Sequence, residues 1–284
     1  MRIAIVTDST AYLNDEDYTL GNIYSVPLSC IFKDEAYREG IDITTEEFFE
    51  KVRTVSELPT SSQPTVGDFT GVYESLQDEY DAVISIHLSK KISGTFQNAY
   101  TVAQSIKGID VHPFDSELTA AGQAFLVRAA SQMAHENKSV QEILDHLEEL
   151  KKVTELYFVV DNLTNLIKGG RLSKTAGGFA TLLNIKPVLT LNDGEIVPYD
   201  KIRTKKKALK KIETLFEEAV NKADYPIKAT IIHAYSEEEG KEFKKRLEEK
   251  FPTIPFNFSH VGPVIGVHAG EGAVGLSWTK NDSH

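Results

Sequence analysis

Across the first 150 residues the hydrophobic pattern switches repeatedly between two periods, and this alternation restricts the fold more than anything else in the chain. Arg2 to Thr7 is an apolar run ending in Asp8-Ser9-Thr10, the pattern of a buried strand entering a polar loop. Val26 to Phe32 alternates but carries Pro27, which predicts an edge strand. Thr44-Thr45-Glu46-Glu47 sets capping hydroxyls and acids at the start of a helix. A second helix is predicted over Gly67 to Gln77, a strand over Ala82 to Leu88, and a helix over Thr95 to Ile106. Ile109 to Phe114 reads as another strand, followed by helices from about Glu117 to His135 and over Val140 to Lys151. Strands alternating with helices imply a parallel sheet covered on both faces, with ligands bound where loops leave the carboxyl ends of the strands.

The second half reads differently. Leu156 to Val160 is a strand, Leu163 to Ile167 a short helix stopped by Gly169-Gly170, and Ala176 to Leu183 a further helix. Ile185 to Leu191 and Glu195 to Tyr199 flank Asn192-Asp193-Gly194, and Asp-Gly between strands is a strong hairpin signal. Thr204 to Asn221 is a long helix, Ala229 to Ala234 a strand, Glu237 to Lys250 a helix and Phe256 to Ser259 a short strand. The expectation is a chain of two α/β domains, 1–153 and 154–284, that pack together directly, since no low-complexity linker separates them.

Charge and composition exclude several classes. Lys and Arg number 31 against 42 Asp and Glu, a net −11 that repels nucleic acid and anionic membrane unless the cations are gathered in one place. Ile3-Ala4-Ile5-Val6 and Ala82-Val83-Ile84 fall far below the ~20 residues that span a bilayer, so no stable membrane insertion is expected. Met1-Arg2 opens straight into Ile3-Ala4-Ile5-Val6-Thr7-Asp8, too short and too soon acidic for a secretory signal. Cys30, the single cysteine, has no internal disulfide partner, and a reducing cytoplasm is the expected location. There is no Gly-x-Ser-x-Gly, His-Glu-x-x-His or Walker A sequence and no metal-ligand spacing, so neither a cofactor nor a metal is expected.

Five segments admit a functional reading beside a plain structural one. Thr60-Ser61-Ser62-Gln63-Pro64-Thr65 reads as a loop between two helices, its hydroxyls satisfying local backbone groups or meeting a ligand. Leu88-Ser89-Lys90-Lys91-Ile92-Ser93-Gly94-Thr95 leaves a strand and opens a helix. Ser93 or Thr95 serves there as an N-cap, or the free amides and hydroxyls bind an anion while Gly94 lets it approach. Lys168-Gly169-Gly170-Arg171 is a helix C-cap or a presentation of Arg171 to a phosphate. Lys201, Arg203, Lys205, Lys206, Lys207, Lys210 and Lys211 place seven cations in eleven residues, a solvated helix face or an anion-facing patch. Gly270-Glu271-Gly272-Ala273-Val274-Gly275 matches the dinucleotide fingerprint by letter, but too few residues follow for the helix and acidic residue that the fingerprint needs. His268, just before it, follows the apolar Val264-Ile265-Gly266-Val267 and is a core residue or a functional one.

Taken in order, these segments resemble the DegV family. The likeness rests on Ile5 to Thr10, Ser61-Ser62-Gln63-Pro64 with Gly67-Asp68-Phe69, Ile92 to Ala99, and Lys168 to Ser173. Ile185-Lys186-Pro187, Arg203 with Lys206-Lys207-Ala208, and Gly262 to Gly266 before His268 complete it. The resemblance implies an N-terminal parallel α/β domain and a C-terminal α/β domain with a mainly antiparallel sheet. It also implies a long-chain fatty acid in a buried tunnel between or beside them. Some members present the bound carboxylate to an ATP-dependent fatty acid kinase. Carried over, the head group would meet Ser61, Ser62, Ser93, Gly94, Thr95 and the histidine after the glycine-rich strand, His268. Arg171, Arg203, Lys206 and Lys207 would face the kinase. Burying about fourteen methylenes contributes about 11 kcal/mol gross, most of which association costs of about 4–15 kcal/mol absorb, so a preformed dry tunnel is required. The alternatives are an acyl or phosphoryl transferase using Ser93 or His268, and a lipid-sensing regulatory module.

Overall fold

The computed structural model describes residues 1–173 and 185–282. The helix expected over Ala176 to Leu183 lies outside the described residues. In chain order the first half comprises β1 (Ile3–Asp8), β2 (Ile23–Val26), β3 (Ser29–Phe32), β4 (Glu35–Arg38), α1 (Thr45–Thr54), β5 (Thr60–Ser62) and α2 (Val66–Leu76). It continues with β6 (Ala82–His87), α3 (Thr95–Ala103), β7 (Asp110–Asp115), α4 (Ala120–His135) and α5 (Val140–Val153). The second half comprises β8 (Glu155–Val159), α6 (Thr164–Lys168), β9 (Val188–Asn192), β10 (Glu195–Asp200), α7 (Lys205–Lys222) and β11 (Ile227–His233). It ends with α8 (Glu237–Lys250), β12 (Phe256–His260), α9 (Pro263–Ala269) and β13 (Val274–Lys280).

Strands β2-β1-β6-β7 form a parallel sheet whose central strands, β1 and β6, are buried on both faces. Strand alternation divides each run between two cores. Ile3, Ile5, Ile84 and Ile86 pack with Leu126 and Val127 of α4 and Ile143 and Leu147 of α5. Ala4, Val6 and Val83 pack with Phe69 and Tyr73 of α2 and Ala99 and Val102 of α3. The caps follow the sequence: Thr44, Thr65 and Ser139 each accept from the N3 amide while the N3 acid answers back, three full capping boxes.

The second sheet, β10-β9-β8-β13-β11-β12, is antiparallel except for the β11–β12 pair. Its hairpin is built as the Asp-Gly signal requires, with Asp193 (φ 49) and Gly194 (φ 78) both left-handed. One face, carrying Tyr157, Val159, Ile231 and Trp278, is covered by α7 and α8 through Ile212, Phe216 and Phe243. The other face, carrying Leu156, Leu189, Ile196 and Ile232, turns towards Phe48 and Phe49 of α1, Ala120 and Ala121 of α4 and Val267 of α9. The two halves therefore share one hydrophobic cluster, and the site lies in it.

Three sequence expectations are corrected. Val26 to Phe32 is not one edge strand: Pro27 separates β2, in the parallel sheet, from β3, which pairs antiparallel with β4 and β5 in a small third sheet. Thr60 to Ser62 is not loop but β5, because β3 offers its edge some thirty residues upstream. The segment before His268 is not a strand but α9, which opens on Pro263, a residue suited to the first helical turn.

Candidate functional site

Where the shared face fails to close, it leaves a cavity with about 900 Å³ of atom-free space, mouth included. The walls are mostly aliphatic: Leu28 and Leu88 from the first half, Leu156, Ile196 and Ile232 from the antiparallel sheet, and Val264 from α9. The polar lining is confined to Ser61, Gln63, Ser93, Thr119, Arg171, His233 and His268. Four of these, Ser61, Ser93, Arg171 and His268, had been singled out from the sequence.

His268 stands in the last turn of α9, with Nε2 2.7 Å from Ser61 Oγ. Its Nδ1 is buried and has no hydrogen-bond partner among the described residues. Burial, and secondarily the Arg171 guanidinium, push the imidazole down from 6.5 to about 4, so the ring is neutral at neutral pH. Room for that ring comes from Gly169, where a Cβ would lie 2.5 Å from Nδ1 and 2.9 Å from the Asn165 carbonyl. Gly170, at φ 70, turns the chain out of α6 so that the Arg171 amide donates to Leu166 at 3.1 Å. The C-cap and the presentation of Arg171 thus coexist. Arg171 Nε donates to the Ile92 carbonyl at 3.3 Å and Nη1 to the Gly169 carbonyl, and the side chain lines the cavity. Among the described residues these bonds engage two of its five N–H donors, and the guanidinium brings a fixed positive charge to this wall.

Strand alternation in β5 separates the two serines. Ser61 lines the cavity, whereas Ser62 is exposed and donates to the Gln63 carbonyl at 3.2 Å. At the start of α3 the N-cap position is Gly94, with no side-chain cap, while Ser93 Oγ accepts from the Thr95 amide at 3.3 Å. Ser93 Oγ also lies 2.8 Å from Thr95 Oγ1, which is wholly buried behind it. Gly94 does not open a path for a ligand: a Cβ there would come 2.5 Å from Gln63 Nε2, so the gap is taken by the Gln63 amide. Asn98 Nδ2, donating to the Pro64 carbonyl at 2.8 Å, ties that loop to α3. The structure therefore joins Ser61, Ser93, Arg171 and His268 on the cavity wall, sets Thr95 behind them and leaves Ser62 outside. Gln63 belongs to the Ser61–Pro64 motif but had no role assigned to it, and no local pattern marked Thr119 or His233.

The basic cluster divides. Lys205 is held by Glu239 at 2.5 Å, Asp161 at 3.5 Å and the Gly272 carbonyl. Lys210 pairs with Glu213 at 2.6 Å. Arg203, Lys206 and Lys207 are exposed, so Arg171, turned into the cavity, stands apart from them. The glycine-rich segment serves packing. Gly270 (φ 74) and Gly272 (φ 86) make the turn after α9, and Gly275 lies against the Tyr157 carbonyl and Phe158.

A serine–histidine–aspartate chain does exist, and it lies apart from this cavity. Asp8 Oδ2 lies 3.0 Å from His87 Nδ1, and His87 Nε2 lies 2.7 Å from Ser85 Oγ, which in turn is 2.7 Å from the Tyr73 hydroxyl. All four residues are fully buried in or under the parallel sheet. The Leu88 amide and Gln123 Nε2 complete Asp8, so the network fixes the ends of β1 and β6. At the cavity, Ser93 pairs with Thr95, while the serine that meets a histidine is Ser61; among the described residues no carboxylate is bonded to the Nδ1 of that histidine, His268. What the arrangement offers is a mostly apolar cavity with a few polar side chains on its wall. Among the described residues no group of three acidic, histidine or cysteine side chains is placed to hold a metal, and no helix is long and apolar enough to cross a membrane.

Comparison with known proteins agrees with this geometry. The profile of the DegV family, described as uncharacterised proteins, matches residues 2–281. Protein DegV of Bacillus subtilis is 44% identical over 279 residues, covering 98% of this chain and 99% of that protein. A DegV domain-containing protein of Listeria innocua is 46% identical, with 98% of each chain covered. The crystal structure of Bacillus subtilis DegV, described as a fatty acid binding protein, has a TM-score of 0.93 at 43% identity, covering 99% of this chain and 100% of that one. A Thermus thermophilus DegV family protein, also described by fatty acid binding, has a TM-score of 0.91 at 32% identity, with 99% and 100% covered. With a family profile spanning nearly its whole length and relatives above 40% identity, this chain belongs to the DegV family.

Proposed function

We propose that the cavity binds a long-chain fatty acid, its tail along the aliphatic walls and its carboxylate at Ser61, Ser93, Arg171 and His268, and that the chain presents this carboxylate to an ATP-dependent fatty acid kinase. One observation carries the reading: a mostly aliphatic cavity whose polar lining gathers at Ser61, Ser93, Arg171 and His268. Relatives described as fatty acid binding proteins support the ligand class. A carboxylate leaving water must be offset by hydrogen bonds. The Ser93 hydroxyl, the one proton that the Ser61–His268 pair leaves free, and the remaining guanidinium N–H groups supply them. The head group thus keeps its charge while the tail gains from burial.

Mass spectrometry of an organic extract of the native protein tests the ligand. A fatty acid of about sixteen to eighteen carbons near one per chain is the expected result, a length that the family resemblance suggests and the burial estimate makes energetically reasonable. An extract free of fatty acid, from protein that also takes none up after delipidation, refutes the reading. Turnover of the bound acid only when both kinase and ATP are added tests the presenting role. Turnover by the chain alone would restore the transferase alternative.

A further inference from the structure

Thr119 occupies the position that opens α4, yet it does not cap the helix: its hydroxyl makes no bond to the first amides. Threonine at this position ordinarily accepts from the second or third helical amide. Here the next residue, Ala120, lies at φ 50, in the left-handed region that alanine avoids. Thr119 itself is extended (φ −157, ψ 173) and lines the cavity. It is only 6% exposed, and its Oγ1 has no hydrogen-bond partner among the described residues. Valine would present the same shape without an unpaired hydroxyl to desolvate. No hydrogen bond connects Thr119 to the Ser61–His268 or Ser93–Thr95 pairs. Its neighbour Ala120 belongs to the apolar cluster of Leu156 and Ile232. A polar position separate from those two pairs therefore stands in the mostly apolar wall, beside the uncapped N-terminus of a sixteen-residue helix.

We infer that Thr119, together with the opening amides of α4, forms a subsite for an oxygen carried on the aliphatic chain of the bound acid, a hydroxyl or oxo group. The inference rests on the fatty acid reading of the cavity. A helix N-terminus offers only donors, and the threonine hydroxyl both donates and accepts. An in-chain hydroxyl or carbonyl oxygen is an acceptor that meets both. A plain methylene at the same place leaves the threonine unpaired.

The test uses the delipidated full chain as wild type, Thr119→Val, which keeps the branched shape, and Thr119→Ser, which keeps the hydroxyl. Dissociation constants are measured by calorimetry for octadecanoate and for octadecanoates bearing one hydroxyl at successive positions. At one or more positions the hydroxylated acid is expected to bind wild type about tenfold tighter than it binds Thr119→Val. Thr119→Ser should retain that preference, and plain octadecanoate should bind Thr119→Val at least as tightly as wild type. The same hydroxylated-to-plain affinity ratio in wild type and Thr119→Val at every position overturns the subsite, including where an ordered water is found on Thr119. Plain acid bound with that unchanged ratio overturns this inference alone. A wild type that takes up neither acid overturns it together with the fatty acid reading.

Discussion

The Glu39 carboxylate accepts a hydrogen bond from the Val264 amide at 2.8 Å, across 225 residues of chain. The Tyr12 hydroxyl donates to the same oxygen at 3.1 Å and accepts from the Ile265 amide at 3.2 Å, while Ser9 Oγ donates to the other oxygen at 2.5 Å. Two amides in the first turn of α9 are thus held by side chains from the first half, and the last turn of the same helix carries His268. A seven-residue helix has little stability of its own. Its placement, and so the angle at which His268 meets Ser61, is set by these outside contacts. Gly262 is part of the arrangement, because a Cβ there would lie 2.8 Å from Glu39 Oε1.

Glu39 and His268 should respond to pH with opposite sign. Burial pushes the Glu39 acid up from 4.5 to about 7 against the pull of its hydrogen bonds. Between those values the folded chain holds the extra proton, so stability falls as pH rises through the window. His268 is pushed down from 6.5 to about 4, mainly by burial. There the unfolded chain binds the extra proton, and stability rises with pH. Each displacement corresponds to at most roughly 3 kcal/mol. Melting temperatures of wild type, Glu39→Gln and His268→Gln across this range should show Glu39→Gln gaining on wild type as pH rises from 4.5 past 7. His268→Gln should lose less than wild type below pH 6.5. A variant-minus-wild-type difference that is flat with pH removes that residue from the account.

The paired glycines after α6 separate space from backbone conformation. In Gly169→Ala the new methyl collides with the His268 ring and the Asn165 carbonyl. The overpacking should cost about 1–3 kcal/mol and weaken acid binding as the imidazole moves. Gly170 has open space but φ 70, so Gly170→Ala should cost about 1–2 kcal/mol in stability and leave binding intact. Denaturant midpoints with an acyl-probe titration read both effects. Equal loss of binding in the two variants would show that room for the ring is not what Gly169 provides.

Much of this was legible locally. The β1 run, the Asp193-Gly194 hairpin and the Thr44, Thr65 and Ser139 caps are decided by residues within one element, so period and capping chemistry found them. What stayed hidden depends on distant partners. Pro27 divides two strands that belong to different sheets, and a continuous alternation across it conceals the division. β5 is three residues long, too short to carry a period, and exists because β3 has a free edge. Val264-Ile265-Gly266-Val267 looks like a strand because Val264, Gly266 and Val267 are buried, and Pro263 was the one available helix signal. Ser61, Ser93 and His268 came from the ordered motifs together, whereas the inward turn of Arg171 required the chain reversal at Gly170.

Ser93→Ala should weaken fatty acid binding by about 1–3 kcal/mol, since a buried carboxylate loses a donor. Thr95 stays buried behind it, so the fold should persist. His268→Ala should impair phosphorylation more than binding, if the imidazole orients the carboxylate or stabilises transferred charge. Titration with a fluorescent acyl probe and kinase-coupled turnover separate the two. Unchanged affinity in Ser93→Ala removes Ser93 from the head-group site.

The exposed cations of the α7 entrance make the last prediction. Arg203, Lys206 and Lys207 lie on the surface, while Lys205 beside them is already neutralised by Glu239 and Asp161. On a chain of net charge −11, a small cationic face suits an acidic protein surface or ATP phosphates better than a lipid carboxylate. Exposed charges are individually weak, but together they steer association and make it sensitive to salt. Lys206→Glu with Lys207→Glu should therefore slow kinase-dependent turnover and leave lipid binding unchanged. The deficit should be larger at about 50 mM than at about 300 mM salt, conditions that straddle physiological screening near about 0.15 M. A purely solvated helix face predicts no change in either measurement. If wild type and the double variant turn over alike at both salts, these lysines serve solubility and the kinase is met elsewhere.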